Sequence, residues 1–261
     1  MFDVAAAVAG LLTRVKHRTD AVSQLPWIVF QRWETLLFAS WPVAPEVMRA
    51  CVPIELEIDT FDGTAWLTIV PMHMRDLHVR DLPPIPGTST FPEINLRTYV
   101  KVGGRSGVYF FSIECNAPFA DLVANLLFDF PYKRATMSYR VDGDSIAIDS
   151  ARAETGVTNA DFVAKYQPVG DAFTPAAGSL EDFLLTRYAS FSVANTGAVL
   201  RGDLHHDEWT IRRAQADIKT NSLARAAGIQ VLDRAPQLYY SQGTDTVVWP
   251  LVEQVPTPTG R

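Results

Sequence analysis

From Leu25 to Trp249 the chain reads as short runs rich in Val, Ile, Thr, Tyr, Phe and Trp, broken by Gly, Asp and Pro. Runs of that kind bury a face of a pleated strand and end where turn chemistry begins. The pattern predicts strands over Ile28–Gln31, Thr35–Ser40, Thr64–His73, Ile94–Val102, Val108–Cys115, Ala135–Val141, Ser145–Arg152, Arg187–Val193, Val199–Leu204, Thr210–Ile218 and Gln237–Trp249. Gly103-Gly104-Arg105-Ser106-Gly107 and Asp142-Gly143-Asp144 each join two strand patterns as hairpins. Helical spacing is rarer. Val4, Val8, Leu11, Leu12 and Val15 predict an amphipathic helix over Asp3–Asp20, and shorter helices are expected at Ala44–Ala50, Phe119–Phe128, Ser179–Leu185 and Leu223–Gly228. Asp76–Pro92 carries four prolines and reads as a loop.

These elements predict a mainly β chain: a single antiparallel β-barrel-like domain over residues 25–250 with a few peripheral helices. Residues 1–24 form an N-terminal helix packing on that domain or on a partner subunit, and 251–261 a frayed tail. The apolar run Val4–Leu12 is too short to span a bilayer, and its positive charges follow it, so no export signal is read. With 261 residues, 48% hydrophobic and 20% charged, disorder is excluded. A net charge of -6 leaves no basic surface for a phosphate backbone, so nucleic acid is not an expected partner, nor is a membrane. Cys51 and Cys115 alone supply neither a disulfide framework nor a zinc site, which fits a reducing, cytoplasmic setting.

Candidate chemistry concentrates in Phe91–Val102, FPEINLRTYVKV. Side chains on a strand alternate between faces, so Glu93, Asn95, Arg97, Tyr99 and Lys101 share one side. Two readings stand open: the solvated side of an antiparallel sheet, or the lining of a polar interior in which Glu93 is acid or base and Arg97 holds a carboxylate. His73 and His78 fall on opposite faces of a strand and are poor joint metal ligands. His205-His206-Asp207 reads as a turn with exposed imidazoles. There is no G-x-S-x-G elbow, Walker loop or H-E-x-x-H helix, and no metal or cofactor is expected.

Read in order, WPVAPEVMRACVPIELEIDTFDGTAWLTIVPMHM, FPEINLRTYV, GVYFFSIEC, FPYKRATMSY, SLEDFLLTRY and HHDEW resemble the YqjF-like family, domain of unknown function 2071. The likeness runs from about Phe30 to Trp249. That family is grouped with the acetoacetate decarboxylase superfamily, a β-barrel-like fold around a polar cavity. The resemblance implies a small-molecule substrate or ligand and a site built from Glu93, Phe130-Pro131-Tyr132-Lys133 and Arg32. Acetoacetate decarboxylase uses the first lysine of a Pro-Lys-Lys segment to form a Schiff base with its ketone. Here Tyr132 stands at that first lysine and Lys133 at the second.

If the register carries over, Tyr132 takes the pocket position and imine chemistry is lost; a slip of one residue would turn Lys133 inward instead. The expected catalytic residues are therefore Glu93, Tyr132 and Lys133, with Arg32, Asn95 and Arg97 binding substrate. The expected activity is acid/base chemistry of lyase, hydratase or isomerase type on an oxo or carboxylate compound. The alternative is a non-catalytic protein that binds a small metabolite in the same cavity. The apolar N-terminal helix also makes a homo-oligomer possible.

Overall fold

The computed structural model describes residues 3–82, 89–116, 130–152 and 160–254. The elements run α1 (Val4–Leu11), β1 (Val29–Val43), α2 (Pro45–Cys51), β2 (Glu57–Ile58), β3 (Ala65–Val79), β4 (Phe91–Val102), β5 (Arg105–Cys115), β6 (Tyr132–Asp142), β7 (Ser145–Arg152), β8 (Asp161–Phe173), α3 (Leu180–Leu185), β9 (Ala189–Val193), β10 (Val199–His206), β11 (Ile211–Asn221), α4 (Leu223–Ala226) and β12 (Gln237–Glu253). The strands form one sheet in the order β10-β9-β5-β6-β7-β8-β11-β12-β1-β3-β4-β2. It curls back on itself because β4 also pairs with β5 and β10 with β12, giving a barrel-like wall with few open edges. The pairing is antiparallel except where β5 meets β6 and β9 in short parallel contacts.

Curling gives the central strands two buried faces. On β1, β3 and β4, Leu37, Ala39, Leu67, Ile69, Ile94, Leu96 and Val100 join one apolar core with Ile146, Ile148, Phe162 and Ala164. Their neighbours in sequence, among them Leu36, Phe38, Val70, Met72 and Tyr99, belong to a second core with Trp209 and α3. Both sides of β4 are thus removed from water, which decides between the two readings of its charged face: the face is interior.

Two irregularities aim side chains into the second core. Along β1, Val29, Gln31 and Trp33 line a cavity there, and so do Leu36 and Phe38. Strict alternation would have put those two sets on opposite faces. The register with β3 slips by one residue between Glu34 and Ala39, and Thr35 takes a φ of 54°, costly for a β-branched residue. Side chains hold it there: Thr35 Oγ1 lies 2.7 Å from the Tyr139 hydroxyl, and the Tyr166 hydroxyl donates to the Thr35 carbonyl at 2.8 Å. Opposite, Gly243 has a φ of 145°, and a Cβ there would fall 2.2 Å from the Trp33 carbonyl oxygen. The same device recurs in β5, whose register with β4 slips beside Phe111, so that Val108 and Phe110 face the cavity and then Ile113 does.

The structure corrects several expected boundaries. Ile28–Gln31 and Thr35–Ser40 are one strand, since the break in alternation between them is the bulge. Asp161–Phe173 and the two-residue β2 are strands that the hydrophobic pattern did not yield. Asp76–Val79 belong to β3, so less of Asp76–Pro92 is loop. Helix α1 stops at Leu11 rather than Asp20, because the Thr13 hydroxyl and the Arg14 guanidinium take the Gly10 carbonyl at 2.7 and 2.9 Å. Its Val8 and Leu11 pack on Phe30, Val247 and Trp249 of this same chain. Strand β12 continues to Glu253, while the helix expected at Phe119–Phe128 lies outside the described residues. Both cysteines are free, and among the described residues no helix is long and apolar enough to cross a membrane. Gly243→Ala should lower stability by more than about 1 kcal/mol, read as a fall in the urea midpoint, because backbone rather than a movable side chain blocks the new methyl. An unchanged midpoint would remove Gly243 from the bulge.

Candidate active site

The second core encloses a cavity of about 120 Å³, walled by Val29, Trp33, Leu36, Phe38, Val70, Met72, Leu77, Val108, Phe110, Ile113, Leu185 and Trp209. Its polar lining includes Glu93, Asn95, Arg97, Tyr132, Arg187 and His206. Three of these come from alternate positions of β4, as the strand period requires.

Tyr132 arrives by the parallel contact of β5 with β6. Ile113 pairs with Tyr132, Glu114 with Lys133 and Cys115 with Arg134. Paired residues in a parallel ladder share a face, so Tyr132 enters the cavity beside Ile113, whereas Lys133 goes with Glu114 to the other side. Glu114 is fully buried there and ion-paired with Arg152. The one-residue slip that would have turned Lys133 inward is not the register adopted. Arg32 is also outside the cavity: the β1 alternation puts it on the face opposite Gln31 and Trp33, where it forms ion pairs with Asp245 at 2.7 Å and Asp76 at 3.1 Å. Of the expected site residues, then, the fold brings together Glu93, Asn95, Arg97 and Tyr132, and separates Lys133 and Arg32 from them. Lys101, on the same face of β4 but farther along, binds Asp59 at 2.7 Å.

Burial dominates the electrostatics. Glu93 is 5% exposed, and loss of hydration lifts its pKa to about 7, against the influence of the nearby Asn95 side chain, which favours the anion. Asn95 Oδ1 and Glu93 Oε2 are buried and have no partner among the described residues. Burial also pushes the Tyr132 hydroxyl well above its ordinary pKa, with the Glu93 charge adding to the shift, so the phenol stays protonated. Arg97 is lowered by desolvation. Its Nη2 donates to the Leu184 carbonyl at 3.2 Å, its Nε has no partner, and among the described residues it makes no ion pair. Arg187 is compensated, by Asp59 at 2.8 Å and the Phe183 carbonyl at 2.9 Å.

His206 and Arg187 are lining residues that the sequence pattern did not supply. Neither imidazole of His205-His206 is exposed: the strand runs on to His206 and both rings are buried, correcting the expected turn. The available signal was parity, since Leu204 and His206 fall on one face of β10 and both line the cavity. Arg187 could have been suspected as a lone cation at the start of the strand pattern Tyr188–Val193.

With this geometry in view, comparison with known proteins places the chain. Residues 30–245 match the model of a family described as an uncharacterized conserved protein, DUF2071. The chain belongs to the DUF2071 family. The uncharacterized protein YqjF of Bacillus subtilis (strain 168) is 37% identical over 238 residues, covering 91% of this chain and 97% of YqjF. In fold, this DUF2071 protein is similar to an acetoacetate decarboxylase-like enzyme from Sphingomonas wittichii RW1 (TM-score 0.58, 14% identity, 92% and 98% of the two chains). It is similar also to acetoacetate decarboxylase from Legionella pneumophila (0.59, 12%, 94% and 96%). A third neighbour is the enduracididine biosynthesis enzyme MppR complexed with pyruvate (0.59, 12%, 90% and 93%).

The Glu93 carboxyl gives a stability test with a definite sign. Its folded pKa lies above the ordinary value of 4.5, so its ionisation opposes folding: the penalty is absent below pH 4.5, grows as pH rises, and is complete above about 7. Glu93→Gln should therefore stabilise the DUF2071 protein at pH 8 relative to wild type by up to roughly 3 kcal/mol, with the difference vanishing toward pH 4.5. Urea unfolding across that range measures it, and a difference independent of pH would show that Glu93 is not held at the raised value.

Proposed function

We propose that this DUF2071 protein is an enzyme of acid/base type acting on a small oxo acid, with Arg97 binding the carboxylate, Glu93 moving a carbon-bound proton and Tyr132 donating to the carbonyl oxygen. One observation carries the reading. A carboxyl group whose pKa burial lifts to about 7 and a partly buried guanidinium, its Nε shut off from water and with no counter-ion among the described residues, line the same small apolar cavity. An uncompensated buried cation invites an anion, and an arginine matches a carboxylate in shape. A general base works best when its pKa lies near the working pH. The likeness in fold to acetoacetate decarboxylase and to MppR, whose structure is described with pyruvate, agrees with this class of substrate.

Imine formation is not part of the mechanism. The chain has five lysines, Lys16, Lys101, Lys133, Lys165 and Lys219, all among the described residues, and none lines the cavity. A phenol cannot replace the amine of a Schiff base. What Tyr132 can do is hydrogen-bond the oxygen on which negative charge grows as Glu93 removes the proton from the adjacent carbon. The proton on Glu93 is then returned to the same carbon or a neighbouring one, or leaves with a hydroxyl as water, giving exchange, isomerisation or dehydration. At about 120 Å³ the cavity is below the roughly 300–1,000 Å³ of sites for drug-sized ligands, which favours a substrate of a few carbons.

The test is exchange of the carbon-bound protons of pyruvate, α-ketobutyrate and acetoacetate in heavy water, followed by proton NMR. Wild type should accelerate exchange for at least one acid, the rate rising as pH passes about 7, and Glu93→Gln should slow it by about a hundredfold or more. Borohydride added to the same mixtures should leave the protein mass unchanged. Exchange no faster than with the Gln variant would overturn the catalytic roles, and saturable binding without exchange would make the protein a metabolite binder using the same cavity. A reduced adduct on Lys133 would restore the imine route.

A further inference from the structure

The groups left unpaired inside the cavity are not all donors. His206 is 1% exposed and its ring is wedged among Trp209, Tyr188 and Trp33, with centroids 4.5, 4.9 and 6.1 Å away. Its Nδ1 lies 2.6 Å from the Asp207 carbonyl oxygen. A carbonyl only accepts, so Nδ1 carries the proton and Nε2 is left as a bare lone pair. Burial lowers the imidazole pKa to about 3, so the ring stays neutral and Nε2 remains an acceptor throughout the physiological range. Among the described residues Nε2 has no hydrogen-bond partner, and the ring lines the cavity.

The tautomer is fixed from outside. Arg14 grips the Asp207 carboxylate through two bonds of 2.6 and 2.8 Å, and His17 Nε2 bonds the His206 carbonyl at 3.1 Å. The segment after α1 thus clamps the backbone whose carbonyl orients the ring. Asn95 Oδ1, buried and without a partner among the described residues, is the second orphan acceptor. A bare oxo acid offers acceptors only, and would leave both groups without a donor. An ammonium would supply donors but would lie beside the Arg97 and Arg187 cations. A hydroxyl supplies a donor without charge.

We propose that the cavity is built for a hydroxylated oxo acid, its carboxylate on Arg97 and a hydroxyl proton given to His206 Nε2, with Asn95 Oδ1 open to a second donor, so that His206 is a specificity residue. This rests on the reading of Arg97 as the carboxylate site. Size agrees: at about 120 Å³ the cavity lies below the range of sites for drug-sized ligands and suits a hydroxy-oxo acid of a few carbons.

The experiment pairs ligands that differ by one hydroxyl, pyruvate against hydroxypyruvate and α-ketobutyrate against its γ-hydroxy counterpart, with affinities from calorimetry on the full chain. Wild type should bind at least one hydroxylated member about tenfold or more tighter than its partner. His206→Phe keeps an aromatic ring between Trp209 and Tyr188 but has no lone pair; it should reduce that preference to about threefold or less while leaving affinity for the plain acid within about threefold. Its far-ultraviolet circular dichroism should match wild type, and His206→Gln, which restores an acceptor, should recover part of the preference. Equal binding of both members of each pair, or a preference that His206→Phe leaves intact, overturns the hydroxyl assignment while the carboxylate site stands. Binding of every acid that is insensitive to Arg97→Met, or no binding at all, overturns the carboxylate site and this inference with it.

Discussion

Taking a guanidinium out of water costs several kcal/mol unless an anion goes with it. Arg97 is partly buried against Phe38, Tyr99 and the Leu184 carbonyl, its Nε shut off from water, with no carboxylate partner among the described residues, although the fold supplies partners freely elsewhere. Arg187 has Asp59, Arg152 has Glu114 and Arg32 has Asp245. Glu93 sits on the same face of β4, in the same cavity, yet forms no ion pair with Arg97 and holds its proton up to about pH 7. Two charges that could have cancelled are kept apart on one strand. In the proposed mechanism that separation lets Arg97 take an anion while Glu93 transfers a proton.

Maintaining such a cavity requires side chains from several strands to point the same way, which regular pleating alone does not give. The bulges at Thr35 in β1 and beside Phe111 in β5 meet that requirement by reversing parity part-way along a strand. The strained Thr35 is tied to Tyr139 and Tyr166, and Gly243 leaves space for its neighbour's carbonyl. The local strain is thus offset by hydrogen bonds in the main core, and what it secures is that Trp33 and Leu36 wall the same space.

These particulars explain what could be read from the sequence. The charged face of FPEINLRTYVKV was legible because β4 keeps its own two-residue period through the site, and the face became interior once the sheet curled. The β1 bulge was visible only as a gap between two apparent strands. Tyr132 and Lys133 could not be told apart, since their facing depends on a parallel contact with β5 made by residues far apart in sequence. His206 was missed because a histidine pair beside an acidic residue at a strand end looks like a turn; its burial depends on the arm that carries Arg14 and His17, which no local pattern reveals. Asp161–Phe173 does alternate, through Phe162, Ala164 and Tyr166, but Pro168, Gly170 and several polar residues mask it.

The account stands on a carboxyl group poised at neutrality inside the cavity. Carbon NMR of protein labelled at the glutamate side-chain carboxyl, with the Glu93 resonance assigned by its loss in Glu93→Gln, measures this directly. A titration midpoint near 7 is the predicted result; a midpoint in the ordinary range near 4.5 would mean that Glu93 is hydrated or ion-paired, and would contradict the site as described.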